Sequence, residues 1–302
     1  MHAVLKYVAS LQDDGKTVER ILKREYQISS GLLTSLKTEG KIFINGNVCR
    51  SVDKVSSGDV ISADVSEDLS PEKQRFAQTK MPLDILFEDD YMIVVNKPGR
   101  LESHPCPSNR ESTLANGIMY YWAQKGEYHN YHIVNRLDKD TSGICVVAKN
   151  RFAHGCLSSQ MKQGAFKKEY FAICHGTLQT YEGIIDFPIK RAEGSVIKRM
   201  VSDDGKPAVT EFKVIKSTKD KRYSLVKIQL KTGRTHQIRV HFSHIGFPLV
   251  GDWLYGNGDN ERELINRHAL HAFNVEFFHP ATKERSLFEA ELPEEMKKLI
   301  NL

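Results

Sequence analysis

The segment NRLDKDTSG, residues 135–143, places two acidic side chains among cations, between stretches that have the pattern of core strands. Asp138 follows Arg136 and Leu137 directly, and Asp140 comes two positions later. Carboxylates at positions i and i+2 of an extended segment point the same way at roughly 6–7 Å, a separation that a glycosidase pair could use. A salt-bridged turn is the alternative interpretation. Local spacing leaves both open.

A second polar segment, KTGRTHQIRVHFSH at residues 231–244, has the pattern of a loop followed by a helix. Gly233 ends a strand, and we expect Thr235 to cap the helix that follows. Ile238 and Phe242 form its apolar stripe, with Arg239 on a neighbouring face.

Histidines at 236, 241 and 244 suggest a metal site, but the pattern lacks a His pair at i, i+4 with an intervening glutamate. The five cysteines are scattered and never in a C-x-x-C spacing. We therefore predict no metal.

In FKKEYFAI, residues 166–173, Tyr170 lies in a strand pattern, where it is either part of the core or an aromatic platform for a flat base.

The elements that must position these residues lie between residues 83 and 302. Many strands follow one another without intervening helices, so the sequence predicts an α+β fold with a mixed, mostly antiparallel central sheet. Helices are expected near 112–124, 151–163 and 235–245. The predicted strands are LDILFE, MIVVNK, GICVVAK, EYFAICHGTL, VTEFKVIKS, YSLVKIQL and ALHAFNVEFF.

Residues 1–65 have the pattern of a separate small domain with two helices and a hairpin. Ser29 or Ser30 can cap the second helix, and Asn45-Gly46 is the dipeptide that a tight type I′ hairpin prefers. Residues 66–82 are polar, contain two prolines and predict a linker.

The formal net charge of the 302 residues is +5, but its distribution is uneven. From Lys190 to Arg239 there are 14 Lys and Arg against 5 Asp and Glu, which leaves the rest of the chain at −4. This stretch is either a solvated face or a surface for a polyanion. No apolar run could span a bilayer and no export signal is visible, so we expect a cytoplasmic protein, with a monomer as the default.

The N-terminal segment resembles the alpha-L RNA-binding domain found in a ribosomal protein and in several RNA-modifying enzymes. The resemblance rests on a basic helix-turn-helix pattern followed by KIFING and GDVI. It implies RNA binding, in which five cations could contact phosphates: Arg20, Lys23, Arg24, Lys37 and Lys41.

Six ordered segments resemble the signatures of the RluA-type pseudouridine synthases, and NKPGRLESHP resembles that family's upstream motif. The six are NRLDKDTSGICVVAKN, KKEYFAICHG, GKPAVTEFKV, KTGRTHQIRVH, GFPLVGDWLYG and RHALHAFNVEFFHP. The resemblance implies the pseudouridine synthase fold and an isomerase that converts uridine to pseudouridine in structured RNA without a cofactor. Ribosomal RNA is the first expectation for the substrate and transfer RNA the second.

The resemblance also implies roles for particular residues. Asp138 matches the essential acid, which must be ionised although largely buried, and Arg239 is the cation expected to keep it so. Tyr170 is expected to stack on the target base and to assist proton removal from carbon five, and Ile238 to pack against the same base. Arg136 is expected to hold the flipped nucleotide. The K-T-G-R-T-H segment adds Arg234 and His236 as substrate-binding candidates.

Two departures from the family pattern stand beside these expectations. Asn135 replaces the usual His before R-L-D, and the glycine of the N-K-P motif is displaced to Gly99, followed by Arg100. A non-catalytic RNA-binding or ribosome-assembly factor is the alternative function. A hydrolase that uses Asp138 and Asp140 is a third.

Overall fold

The computed structural model describes residues 3–67 and 69–300. Residues 3–65, here called the N-terminal unit, contain two helices and an antiparallel sheet of order β1-β4-β2-β3. The first strand was not predicted from the sequence. The elements are β1 (Val4–Val8), α1 (Val18–Tyr26), α2 (Ser30–Thr38), β2 (Ile42–Ile44), β3 (Asn47–Val48) and β4 (Val60–Asp64).

Local sequence signals explain these elements. The Thr17 side chain accepts a hydrogen bond from the Arg20 backbone amide and begins α1, and Ser29 caps α2 in the same way. Asn45 and Gly46 have φ values of 50° and 81°, the left-handed pair that a two-residue hairpin requires. The predicted cap at Ser29 and the predicted hairpin are both confirmed.

The larger part of the chain forms a ten-stranded sheet and a separate two-stranded ribbon of β11 (Ile189–Arg191) and β12 (Arg199–Val201). The sheet order is β10-β13-β14-β9-β15-β8-β6-β5, with β16 on β15 and β7 on β8. The strands are β5 (Asp84–Glu88), β6 (Met92–Lys97), β7 (His132–Ile133), β8 (Ser142–Ala148), β9 (Lys167–His175), β10 (Glu182–Asp186), β13 (Val209–Ser217), β14 (Tyr223–Leu230), β15 (Leu270–Phe278) and β16 (Arg285–Glu289).

Pairing in this sheet is antiparallel in the described chain except between β15 and β8, which run parallel. The predicted α+β class with a mixed, mostly antiparallel sheet is therefore confirmed. The three predicted helices are present, and a fourth short helix near the C-terminus was not predicted. They are α3 (Leu114–Gln124), α4 (Arg151–Gln163), α5 (Gln237–His244) and α6 (Glu294–Leu299).

The central strands are apolar on both faces because both faces are covered. In β6, Ile93 and Val95 join one core with Trp122 of α3, while Met92 and Val94 join a second core with Leu157 of α4. The side chains of strand β8 alternate between the same two cores. This continuous packing holds the strand ends that carry the polar segments.

The N-terminal unit packs against the larger part at the start of α4. Phe152 enters the hydrophobic core of the unit, and the Tyr91 hydroxyl donates a hydrogen bond to the Val4 carbonyl at 3.1 Å. Of the predicted linker, the described residues contain only a short 3-10 turn at Pro71–Lys73. Across the described residues, no helix has the length and apolar character needed to cross a bilayer.

Candidate active site

All seven site residues predicted from the sequence line one cleft of about 640 Å³. They come from three separate places: the loop between β7 and β8, strand β9, and the loop and helix that follow β14. The fold thus gathers residues that are far apart in the chain. The seven are Arg136, Asp138, Tyr170, Arg234, His236, Ile238 and Arg239.

The loop that carries Asp138 is fixed through its backbone carbonyls. The carbonyl of Leu137 accepts from the Ser103 hydroxyl at 2.9 Å, and that of Asp138 from the Thr141 amide at 3.1 Å. The carbonyls of the next two residues accept from buried cations, each at 3.0 Å, namely Lys97 for residue 139 and Arg267 for residue 140. Four consecutive carbonyls are bonded, so the Asp138 carboxylate projects from a rigid turn.

The loop before α5 differs from the prediction that Thr235 caps the helix. His236 occupies the N-cap position in a left-handed conformation with φ 58°, and no side chain caps the helix there. Gln237 holds the loop instead, because its side-chain oxygen accepts from the Arg234 amide at 3.0 Å and from the Thr232 hydroxyl at 2.8 Å. The unusual backbone of His236 turns its imidazole toward Asp138.

Arg239 links two carboxylates. The Arg239 residue is 4% exposed, and its guanidinium binds Asp252 through Nε at 2.7 Å and Nη2 at 2.8 Å, while Nη1 donates to Asp138 Oδ2 at 3.5 Å. Burial alone would lower the pKa of Arg239, but the hydrogen bonds and charge of Asp252 raise it overall. The Tyr255 ring lies under the guanidinium, with its centroid at 5.0 Å. Arg239 is therefore a permanent, fixed cation beside Asp138.

Asp138 is less buried than the sequence-based expectation, since its side chain is 32% exposed. His236 Nε2 lies 3.7 Å from its Oδ2, and His236 Nδ1 shares a hydrogen bond of 2.9 Å with the Tyr255 hydroxyl. Burial lowers the pKa of His236, which favours the neutral imidazole. Asp138 thus faces the cleft with a cation and a neutral ring beside it.

The apolar wall of the cleft contains Tyr170 and Ile238, which are 6% and 4% exposed. Both belong to the core that also contains Phe242 of α5. Burial raises the pKa of the Tyr170 hydroxyl, so the phenol keeps its proton at neutral pH. A flat ring and a branched aliphatic side chain across from a carboxylate form a suitable surface for a planar base.

A sequence model of the RNA pseudouridylate synthase family matches residues 91–244, about half of the chain. The uncharacterized RNA pseudouridine synthase YjbO of Bacillus subtilis is 43% identical over 277 residues, which cover 91% of this chain and 95% of that protein. This chain belongs to the RNA pseudouridine synthase family. It is an isomerase that converts uridine to pseudouridine in RNA.

Two further similarities agree with this family. The ribosomal large subunit pseudouridine synthase D of Neisseria meningitidis is 37% identical over 284 residues, covering 91% of this enzyme and 75% of the relative. The solved structure of human RNA pseudouridylate synthase domain containing 1 superposes with a TM-score of 0.59 at 26% identity, covering 70% of this enzyme and 83% of that chain. The predicted RluA-type family and its fold are confirmed.

The two departures from the family pattern have structural explanations in this enzyme. Asn135 is buried, its amide donates to the Ile144 carbonyl at 2.8 Å, and its oxygen accepts from the Val146 amide at 2.8 Å. Asn135 therefore ties the Asp138 loop to β8. Arg100 has φ 65°, a left-handed conformation that glycine adopts at lower cost, while Gly99 leaves room for the Arg267 side chain.

The sequence analysis missed several residues that support the site. Asp252 holds Arg239, and Lys97 and Arg267 hold the Asp138 loop. Asp252 lies in GDWLYG, part of a segment that resembles a family signature, and this resemblance was the only signal available for it.

Asp140 is not among the described residues that line the cleft, so Asp138 and Asp140 do not form the pair of cleft carboxylates that a hydrolase would need. Within the described chain, no three His, Cys, Asp or Glu side chains form a group that could hold a metal ion.

Proposed function

We propose that the enzyme isomerises a uridine of large-subunit ribosomal RNA, with Asp138 as the essential carboxylate. Relatives named as ribosomal large subunit pseudouridine synthase D, from Neisseria meningitidis and Pseudomonas aeruginosa, are 37% and 36% identical and support this substrate class. Transfer RNA is the second candidate.

The observation that carries the catalytic assignment is the position of Asp138 opposite the apolar wall. Its carboxylate is accessible at 32%, has Arg239 at 3.5 Å and His236 at 3.7 Å, and faces the cleft that Tyr170 and Ile238 line. The cleft volume of about 640 Å³ suits a single nucleotide rather than a duplex. The target uridine is therefore flipped out of its helix before reaction.

The reaction breaks the bond between ribose C1′ and uracil N1, turns the base and forms a bond between C1′ and C5. The proton on C5 leaves, N1 gains a proton, and no electrons are transferred. In this proposal the ionised Asp138 acts at the reacting centre, and Arg239 stabilises its negative charge. Tyr170 and Ile238 hold the uracil ring. Burial raises the pKa of the Tyr170 phenol, which disfavours the phenolate that would take the C5 proton and favours a stacking role.

RNA outside the cleft is proposed to follow the basic stretch from Lys190 to Arg239, which includes the β11-β12 ribbon. The N-terminal unit is proposed as a second RNA contact. Of its five candidate cations, four are already ion-paired: Lys23 and Lys37 with Glu19, Arg24 with Asp13, and Lys41 with Glu39. These pairs reduce the charge available for phosphates, so the larger part is expected to contribute most of the affinity.

The test is to map pseudouridines across total cellular RNA with and without this gene. One or a few sites lost from large-subunit ribosomal RNA, and restored by the native gene but not by D138N, are expected. Sites lost only from transfer RNA would contradict the ribosomal assignment. If no site is lost and the purified enzyme releases no tritium from RNA labelled at uridine C5, the non-catalytic alternative is correct for this chain.

A further inference from the structure

Lys168 is a cation of the cleft to which the reaction described above gives no role. It lies in β9 between two residues that are both ion-paired. Lys167 binds Glu276 at 3.4 Å, and Glu169 binds Lys227 at 2.9 Å. In the described chain, no carboxylate pairs with Lys168 and no hydrogen-bond acceptor receives its protons.

The strand geometry directs Lys168 into the cleft. Residues two apart in a strand share a face, so Lys168 lies on the same face as Tyr170, and both line the cleft. Its ammonium nitrogen reaches the loop before α5, where a Cβ placed on Gly233 would lie 3.8 Å from it. The ammonium therefore stands between the apolar wall and the loop that carries Arg234.

Three other cations of the cleft have partners, and a fourth, Arg136, is exposed, so Lys168 differs from all of them. Arg239 binds Asp252, Lys139 binds Glu102 at 3.0 Å, and Arg234 donates to the Pro207 carbonyl at 3.0 Å. Lys168 is half-buried, and burial lowers the pKa of its ammonium. A desolvated ammonium without an anion is unfavourable, and a ligand that brings negative charge removes that cost.

We propose that Lys168 binds a backbone phosphate of the RNA next to the flipped uridine. RNA supplies one such anion for every nucleotide, and an ammonium recognises it as a point charge. The phosphate would complete the ion pair that β9 leaves open, and would fix the sugar relative to Asp138 while Tyr170 fixes the base. The inference rests on the proposal that this cleft holds the target uridine, but not on which RNA carries it.

The experiment uses total RNA from cells that lack the gene, labelled with tritium at uridine C5, because this RNA contains the unmodified target whatever its class. The full-length enzyme is compared with K168M, K168R and K167M. Lys167 is the matched control, because it is the neighbouring lysine, is exposed and is paired with Glu276.

We expect K168M to raise the half-saturating RNA concentration about tenfold, with a maximal rate within about threefold of the native value. K168R should recover most of the loss, and K167M should behave like the native enzyme. Because one phosphate contact is lost, the slope of log affinity against log salt should decrease in magnitude by about 0.7–0.9 for K168M.

Two results would overturn the inference. One is a K168M enzyme with the native half-saturating RNA concentration and the native salt slope. The other is a fall in maximal rate alone, which would assign Lys168 to the chemical step.

Filter binding of the same RNA gives the salt slope without turnover, so the role of Lys168 is measured even if no tritium is released. An inactive native enzyme would contradict the proposed function, while the salt slope would still show whether Lys168 contacts an RNA phosphate. Thermal unfolding of each variant identifies any loss of folded protein.

Discussion

A buried aspartate is bound to an arginine both in the N-terminal unit and behind the cleft, but the two networks end differently. In the N-terminal unit, the fully buried Asp13 accepts from Arg24 at 2.6 Å, from the Tyr7 hydroxyl at 2.8 Å, and from the amide and hydroxyl of Ser10 at 3.0 and 2.8 Å. The remaining Arg24 nitrogens bind Glu25 and the Tyr7 hydroxyl. Each of the three guanidinium nitrogens of Arg24 therefore has a partner within the unit.

Behind the cleft, Asp252 accepts two hydrogen bonds from Arg239 and one each from the backbone amides of Leu254 and Tyr255. However, Arg239 retains Nη1 for Asp138, whose carboxylate is open to the cleft. A network satisfied internally contributes to stability. In the second network, Asp252 fixes the Arg239 guanidinium, and the Asp138 carboxylate beside it stays accessible to a substrate in the cleft.

The largest expected effect comes from removing the open end of the cleft network. D138N should lower the rate of tritium release by about a thousandfold or more, because the amide can neither carry the charge nor act as a nucleophile or base. Its unfolding temperature should stay near the native value, since the side chain is partly exposed and its nearest cation lies at 3.5 Å. A D138N enzyme that turns over at native speed would refute the assignment.

Breaking the buried part of the same network should affect both activity and stability. D252N leaves the Arg239 guanidinium buried without its bidentate partner, which costs about 3–5 kcal/mol in the free energy of unfolding. Displacement of the guanidinium from Asp138 should lower the rate by about a hundredfold. Denaturant unfolding and tritium release measure the two effects. A stable and active D252N enzyme would show that Arg239 is positioned by other contacts.

Breaking the Asp13–Arg24 network of the N-terminal unit should lower the stability of the protein and leave the rate of turnover unchanged. Hydrogen bonds from Arg24, Ser10 and Tyr7 hold the pKa of Asp13 well below its ordinary 3.8. A carboxyl whose pKa is lowered by folding stabilises the protein above its unfolded pKa, and this contribution is lost as the pH falls through the folded pKa. D13N should therefore unfold at a lower temperature at neutral pH, and the gap to the native protein should shrink below about pH 3.8. A gap that does not depend on pH would contradict this explanation.

D13N should also keep a maximal rate within about twofold of the native enzyme, because its network has no end in the cleft. A large fall in the maximal rate would show that the N-terminal unit takes part in assembling the active site.

The smallest effect is expected for D140N. Its side chain does not line the cleft, and the loop uses only its backbone carbonyl, which Arg267 binds. Turnover within about twofold of native is expected. The hydrolase interpretation predicts instead that D140N is as damaging as D138N, so tritium release from the two variants measured side by side separates the two interpretations.

Several elements were predictable because their signals are local. Asn45-Gly46 defines a hairpin through two adjacent backbone conformations, and Ser29 caps a helix three residues from its partner amide. Strands β10, β11, β12 and β16 were missed. They lie at the margins of the fold, where exposed apolar residues such as Ile184 and Met200 hide the alternation that marks a half-buried strand.

The sequence by itself determined the family, the sheet class and seven of the residues that line the cleft, because ordered motifs record residue types at fixed local spacing. Only the tertiary structure decided that Asp252 holds Arg239, that Lys97 and Arg267 fix the Asp138 loop, and that His236 replaces Thr235 at the start of α5. These contacts join residues from different strands and loops. Hydrogen bonding and charge pairing act over a few ångströms in space, and separation along the chain does not reveal which side chains come that close.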